Sequence, residues 1–274
     1  MTEDSLATVR DPKETLRRLA RSSRAGLVTT EHSAELLGVE ANVASLMLGR
    51  LVRRGWLTRV RRGLYLILPL EAGREGTAIE DPWVLAREIY SPCYIGGWTA
   101  AEHWGLTEQL FRATFVVTSA NIRRSRETFV GAEFHLTRGT HEHVAQVGQV
   151  WRGRERIAVS DRERTIADAL ANPSWVGGVR HLVEILRTYR ESKEWNPNRV
   201  IERLEEIDSG ASFKRLGYLA ETVLESDPHL VDEALARRTS GVVKLDPAIA
   251  ERGRINTRWG LSVNVPIERD TPDA

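Results

Sequence analysis

Cysteine occurs once in the 274 residues, at Cys93, so an internal disulfide is impossible and a cysteine-rich zinc site is excluded. A lone Cys among apolar neighbours is usually a small buried hydrophobe, and Cys93 has no evident activating partner. Apolar runs long enough to span a bilayer are missing. The opening Thr2-Glu3-Asp4 lacks the basic and apolar pattern of a secretory signal, so the cytoplasm is the expected location. There is no phosphate-binding P-loop, no kinase catalytic loop and no Gly-x-Ser-x-Gly elbow. Of the seven histidines only His135, His141 and His143 fall close together. His141 and His143 alternate across Glu142 and would share one side of a strand, but a zinc site needs more ligands and a defined set of partners behind them. Gly177-Gly178 ahead of a helix is either an anion site at the helix N-terminus or a sharp turn. The expectation is no metal, no cofactor and no catalytic residue.

What is present is ordinary for a soluble globular protein of two domains: 41% hydrophobic and 28% charged residues. The net charge of +1 conceals an asymmetry. Residues 1–70 carry 12 Lys and Arg against 7 Asp and Glu, and the remainder is mildly acidic. A basic head on an acidic body is the distribution expected of a nucleic-acid reader.

The stretch from His32 to Leu68 explains that charge. It reads as a short helix, a break at Gly38, a second helix to Arg54, and a hairpin from Trp56 to Leu68. At 3.6 residues per turn, Val43, Met47 and Leu51 form one stripe with Ala44, Leu48 and Val52 beside it, a core face. Asn42, Ser45, Leu46, Gly49, Arg50 and Arg53 lie opposite. Such a face suits a DNA major groove: Asn and Arg donate to base edges and phosphates, and Leu46 meets a thymine methyl. The alternative for Leu46 is to cover a neighbouring loop. Gly49 inside a helix costs roughly 1 kcal/mol relative to Ala, so either tight packing or the groove must compensate. Gly63 supplies the positive φ of a tight hairpin whose tip carries Arg59, Arg61 and Arg62. Those arginines are either a solvated tip or a clamp on a phosphate backbone or minor groove. With an earlier helix started by Asp11-Pro12, this is a winged helix-turn-helix, residues 1–70. Residues 71–81 read as a linker and 82–274 as a larger mixed α/β domain, a mixed sheet flanked by helices.

Within that body, helices are expected from Pro82 to Tyr90, after Thr99 as N-cap, from Asp161 to about Ala171 with Ser160 and Glu163 at capping-box spacing, and over Val179–Arg190, Pro197–Ile207, Ser212–Leu224 and His229–Arg238. Strands are expected at Tyr94–Ile95, Phe115–Thr118, within Thr128–Leu136, in a hairpin across Gly153, and at Val242–Leu245 and Trp259–Val265. Arg164 and Asp168 are four apart on one helix face.

Five motifs occur in order: GGWTAAEHWGLT (Gly96 to Thr107), ERTIADAL (Glu163 to Leu170), FKRLGYL (Phe213 to Leu219), KLDP (Lys244 to Pro247) and GRINTRWGLSVNV (Gly253 to Val265). With RRGLY closing the wing, the chain resembles the AbiEi antitoxins of type IV toxin–antitoxin systems over almost its whole length. Trp98 departs from the pattern. The resemblance implies a winged helix that represses its own operon at inverted repeats in double-stranded DNA. It also implies a C-terminal antitoxin domain that counteracts a nucleotidyltransferase toxin without a stable complex. An enzyme that modifies the toxin or a nucleic acid is the rival reading. Arg123, Arg124, Glu163, Arg164, Asp168, Lys214, Arg215, Arg254 and Arg258 are then candidates for an antitoxin surface. For Glu163, Arg164 and Asp168 the structural alternative is a helix tied to the sheet by partly buried charges.

Overall fold

The computed structural model describes residues 11–23, 26–68, 81–145, 147–224 and 227–267. The chain opens with α1 (Pro12–Ser22), capped by the Asp11 carboxylate on the Lys13 amide. There follow β1 (Leu27–Thr29), α2 (Thr30–Leu37), α3 (Ala41–Arg53), β2 (Leu57–Arg61) and β3 (Leu64–Ile67). Gly38 ends α2 in the left-handed region at φ 65° and turns the chain into α3, and Gly63 at φ 79° closes the β2–β3 hairpin. The strands form an antiparallel sheet in the order β1-β3-β2. Three helices and this sheet are a winged helix-turn-helix. Its core is Leu16, Leu19, Leu48 and Leu51 from the helices against Val28, Leu57 and Tyr65 from one face of the sheet.

The other face of that sheet is not solvated. Leu27, Val60, Leu64 and Leu66 alternate outward from the winged-helix core, as strand geometry requires, and are buried together with Trp83, Val84 and Leu85. Those three belong to α4 (Pro82–Tyr90), capped by Asp81. Residues 69–80, most of the expected linker, lie outside the described residues.

The body begins with a six-stranded mixed sheet, order β6-β7-β5-β4-β9-β8. Its strands are β4 (Cys93–Ile95), β5 (Thr114–Thr118), β6 (Arg126–Phe129), β7 (Ala132–Arg138), β8 (Gly148–Arg152) and β9 (Glu155–Val159), with short helices α5 (Gly97–His103) and α6 (His141–Ala145) between them. α4 covers one face, against Ile95, Val116, Phe134, Leu136 and Ile157. The second half is helical: α7 (Arg162–Ala171), α8 (Val179–Glu191), α9 (Pro197–Ile207), α10 (Gly210–Thr222) and α11 (Pro228–Arg237). These helices share a core with a small sheet of β10 (Val243–Lys244), β12 (Leu261–Val263) and β11 (Arg254–Asn256). Trp259, fully buried, sits at its centre and donates from Nε1 to Glu221 at 2.6 Å.

Gly217 shows why one motif glycine cannot change. A Cβ built on it would stand 2.0 Å from the Trp259 ring. Gly217→Ala is expected to cost roughly 1–3 kcal/mol through overpacking, read as a lower urea midpoint at constant slope; an unchanged midpoint would contradict this packing.

Several local expectations need correction. The α7 cap is Asp161, which accepts from the Arg164 amide, while Ser160 is buried and bonded to Thr165 instead. Thr99 does not cap α5; Gly96 does, and the Thr99 hydroxyl accepts from the Phe115 amide. The strand expected within Thr128–Leu136 is present, divided by a turn at Val130-Gly131 into β6 and β7. His141 and His143 lie on helix α6 rather than on a strand. Arg254–Asn256 forms a strand where none is expected.

Candidate nucleic-acid interface

α3 buries Ala44, Met47, Leu48 and Leu51, and leaves Asn42, Ser45, Leu46, Arg50 and Arg53 exposed. Leu46 is 65% exposed, which rules out cover of a neighbouring loop and leaves an apolar side chain projecting from a polar face. Gly49 lies between them. A Cβ there would meet no atom within 4 Å, so tight packing is not what keeps this glycine. Asn42 at the first turn accepts from the Val43 amide at 2.6 Å through Oδ1, a bond it must release to present both amide atoms to an adenine.

The wing arginines divide into two kinds. Arg59, Arg61 and Arg62 are all exposed, and a bulge between Arg59 and Arg61 re-aims the strand end. Arg61 donates to the Glu88 carbonyl at 2.9 Å, so its guanidinium is partly held by the body. Arg59 makes only a 3.4 Å contact to the Arg61 carbonyl. Neither Arg59 nor Arg62 forms an ion pair among the described residues. The polar outer face of α3 and the three wing arginines are therefore exposed on one small domain, with Arg61 also bonded to Glu88.

The candidates in the body fare differently. Arg123 and Arg124 are exposed in the β5–β6 loop and Arg254 on β11, on separate sheets; Arg258 is exposed but pairs with Glu221 at 2.8 Å. Arg164, Asp168, Lys214 and Arg215 are buried and cannot form a surface. Each is consumed by its own chain. The Lys214 ammonium donates to the carbonyls of Ser240 and Gly241 at 3.0 and 2.7 Å. The Arg215 guanidinium ties the end of α7, at Leu170 and Ala171, to Lys244 and Leu245. Burial pushes its pKa down to about 10, so it stays charged at neutral pH.

Asp168 is the hub of a buried network. It accepts from Tyr94 Oη at 2.7 Å and Arg164 Nε at 2.9 Å, and lies 3.1 Å from His143 Nε2, whose geometry falls short of a hydrogen bond. Arg164 also reaches Glu206 at 3.2 Å, and Arg203 joins Glu206 to the cap Asp161. Burial, then Asp168, holds the Tyr94 phenol well above its ordinary range. Glu163, half-buried, accepts from Tyr189 instead. Buried charges tie this helix to the sheet: Arg164 and Asp168 are 1% exposed, too sealed to meet a substrate or a partner. Only the Arg164–Asp168 spacing was visible in the sequence. Tyr94, His143 and Glu206 join it from distant segments without any local signal.

Residues 14–67 match the family model described as "Transcriptional regulator, AbiEi antitoxin". The matched span runs from the first turn of α1 to the end of β3, the winged helix itself. No curated protein matches this chain. In structure, the chain is similar to the RV2827C protein from Mycobacterium tuberculosis, with a TM-score of 0.61 over 95% of this chain and 92% of that one. At 18% identity that likeness speaks to the fold. Among the described residues no helix is long and apolar enough to cross a membrane, and no three His, Cys, Asp or Glu are placed to hold a metal ion.

Proposed function

We propose that this chain, whose N-terminal domain matches the AbiEi antitoxin transcriptional regulators, represses its own operon by binding inverted repeats in its promoter and counteracts a nucleotidyltransferase toxin. The observation that carries the DNA-binding half is the open outer face of α3 beside exposed wing arginines. In this reading Asn42, Ser45 and Arg50 read base edges, Leu46 meets a thymine methyl, Arg53 bonds a base or phosphate, and Arg59 and Arg62 lie along the backbone. Arg61 serves more to hold the wing to α4 than to grip DNA. Arg123, Arg124 and Arg254 remain as exposed candidates for the antitoxin role. The division into a DNA-reading head at residues 1–70 and an antitoxin body from residue 82 belongs to the same proposal.

Two substitutions test the recognition helix separately. Asn42→Ala is expected to relax discrimination by about 1–3 kcal/mol at one base pair, measured by binding to a panel of single-base operator variants; a loss spread evenly over all sequences would remove Asn42 from base reading. Gly49→Ala is expected to stabilise the fold by roughly 0.4–1 kcal/mol, because the site has room and a helical backbone. The same change should weaken operator binding. Tighter folding with unaltered DNA affinity would place Gly49 outside the groove.

Footprinting on the upstream DNA tests the promoter assignment: two protected half-sites are expected, and a single asymmetric footprint would refute the inverted-repeat reading. Co-expression with the neighbouring toxin tests the rest, with growth rescued by the full chain and by a variant lacking the wing arginines.

A further inference from the structure

β4 and β9 are parallel neighbours, yet their register joins only Ile95 to Val159. Toward their N-terminal ends no further β4–β9 pair forms among the described residues, while β9 stays paired with β8 along its length. The gap is a cavity of about 330 Å³, within the size range of small-molecule sites. Its lining combines apolar side chains, Cys93, Ile95, Val147 and Ile157 among them, with polar ones, and no Asp or Glu lines it among the described residues. The rim carries His141, Gln149 and Arg156, all exposed, whose side chains have no hydrogen-bond partner among the described residues. The Arg156 guanidinium lies over the ring of Trp151, 4.8 Å from its centroid, and that indole is 64% exposed.

We infer that this cleft binds a small organic anion, its apolar body between β4 and β9 and its acidic group on Arg156, His141 and Gln149, and that its occupancy is felt at the wing. The link is short. Arg87 of α4 lines the cavity and bonds the hairpin at Glu155 (3.0 Å) and the Arg156 carbonyl (3.1 Å). Glu88 beside it pairs with Arg87 and accepts the wing's Arg61 on its carbonyl. A ligand that binds one placement of the hairpin better than another biases the α4 turn that anchors the wing. The site does not depend on the proposed function; its consequence for DNA does.

The probe is 8-anilinonaphthalene-1-sulfonate, a fluorescent anion with an apolar body, titrated into the full chain. One saturable site per chain is expected, weakened about tenfold or more in Arg156→Glu, as loss of a charge-assisted contact implies. Arg156 is exposed, so this variant should fold as the parent does, which circular dichroism checks; Gln149→Ala/His141→Ala should act in the same direction. No binding, or equal binding by all variants, overturns the site. In the second arm, saturating probe should change affinity for the upstream duplex in the parent and not in Arg156→Glu. Unchanged affinity in both overturns the coupling to the wing. A parent chain that binds no upstream DNA defeats the proposed repressor function, while the probe titration still decides the site.

Discussion

Replacing Asp168 with Ala is expected to remove about 3–5 kcal/mol of stability, because it leaves Arg164 buried without its nearest countercharge. The guanidinium cannot relax outward, being 1% exposed on a helix packed against α9. Burial acts to lower its pKa, and it is Asp168, with Glu206 behind it, that keeps it raised. Glu206 is the remaining carboxylate, 3.2 Å away, but its side chain is 31% exposed and already bonded to Arg203. The Tyr94 hydroxyl also loses its acceptor. Urea unfolding followed by circular dichroism gives the measurement. The double change Arg164→Met/Asp168→Leu should recover much of the loss, since apolar replacements of buried pairs are often tolerated. A single-variant loss below about 1 kcal/mol would mean that Glu206 alone compensates the charge.

The second large effect concerns DNA. Arg59→Ala/Arg62→Ala is expected to weaken binding to every duplex by about a hundredfold, taking each charge-assisted contact as roughly tenfold. The log–log dependence of affinity on salt should flatten by about 0.9 per lost phosphate contact, close to two units for the pair. Arg61→Ala should flatten it less, because that guanidinium already donates to the Glu88 carbonyl. Anisotropy titrations at four salt concentrations separate these outcomes. A slope that stays put in the double variant would take the wing off the DNA.

How much could be read from the chain depended on how local each signal was. Asp11-Pro12, Gly38 and Gly63 are punctuation whose meaning is set within a few residues, and the winged helix follows from them together with the α3 stripe. The helices at Pro82–Tyr90 and Pro197–Ile207 are legible for the same reason, each starting at a proline. Lys214 and Arg215 are buried although their charge alone suggests solvent. Their partners are backbone carbonyls 26 to 45 residues distant, a kind of acceptor that leaves no trace in a sequence. The buried outer face of the wing sheet was likewise hidden: alternation in Leu64–Ile67 shows which side chains share a face but not that both faces are covered. For the residues proposed to read DNA, exposure on α3 and at the wing agrees with the face assigned by helical spacing; the structure adds that Leu46 is exposed and that Gly49 has open space around it.

The most direct test of the central claim is a competition titration of the full chain on the DNA upstream of its own reading frame against a scrambled duplex of equal length and composition. Binding to the upstream duplex at least about a thousandfold tighter at physiological salt, the lower end for specific readers, with that preference lost when Asn42 and Arg50 are both replaced by Ala, is the predicted result. Equal affinity for the two duplexes, or a preference that survives both substitutions, would contradict the assignment of α3 as the element that reads sequence.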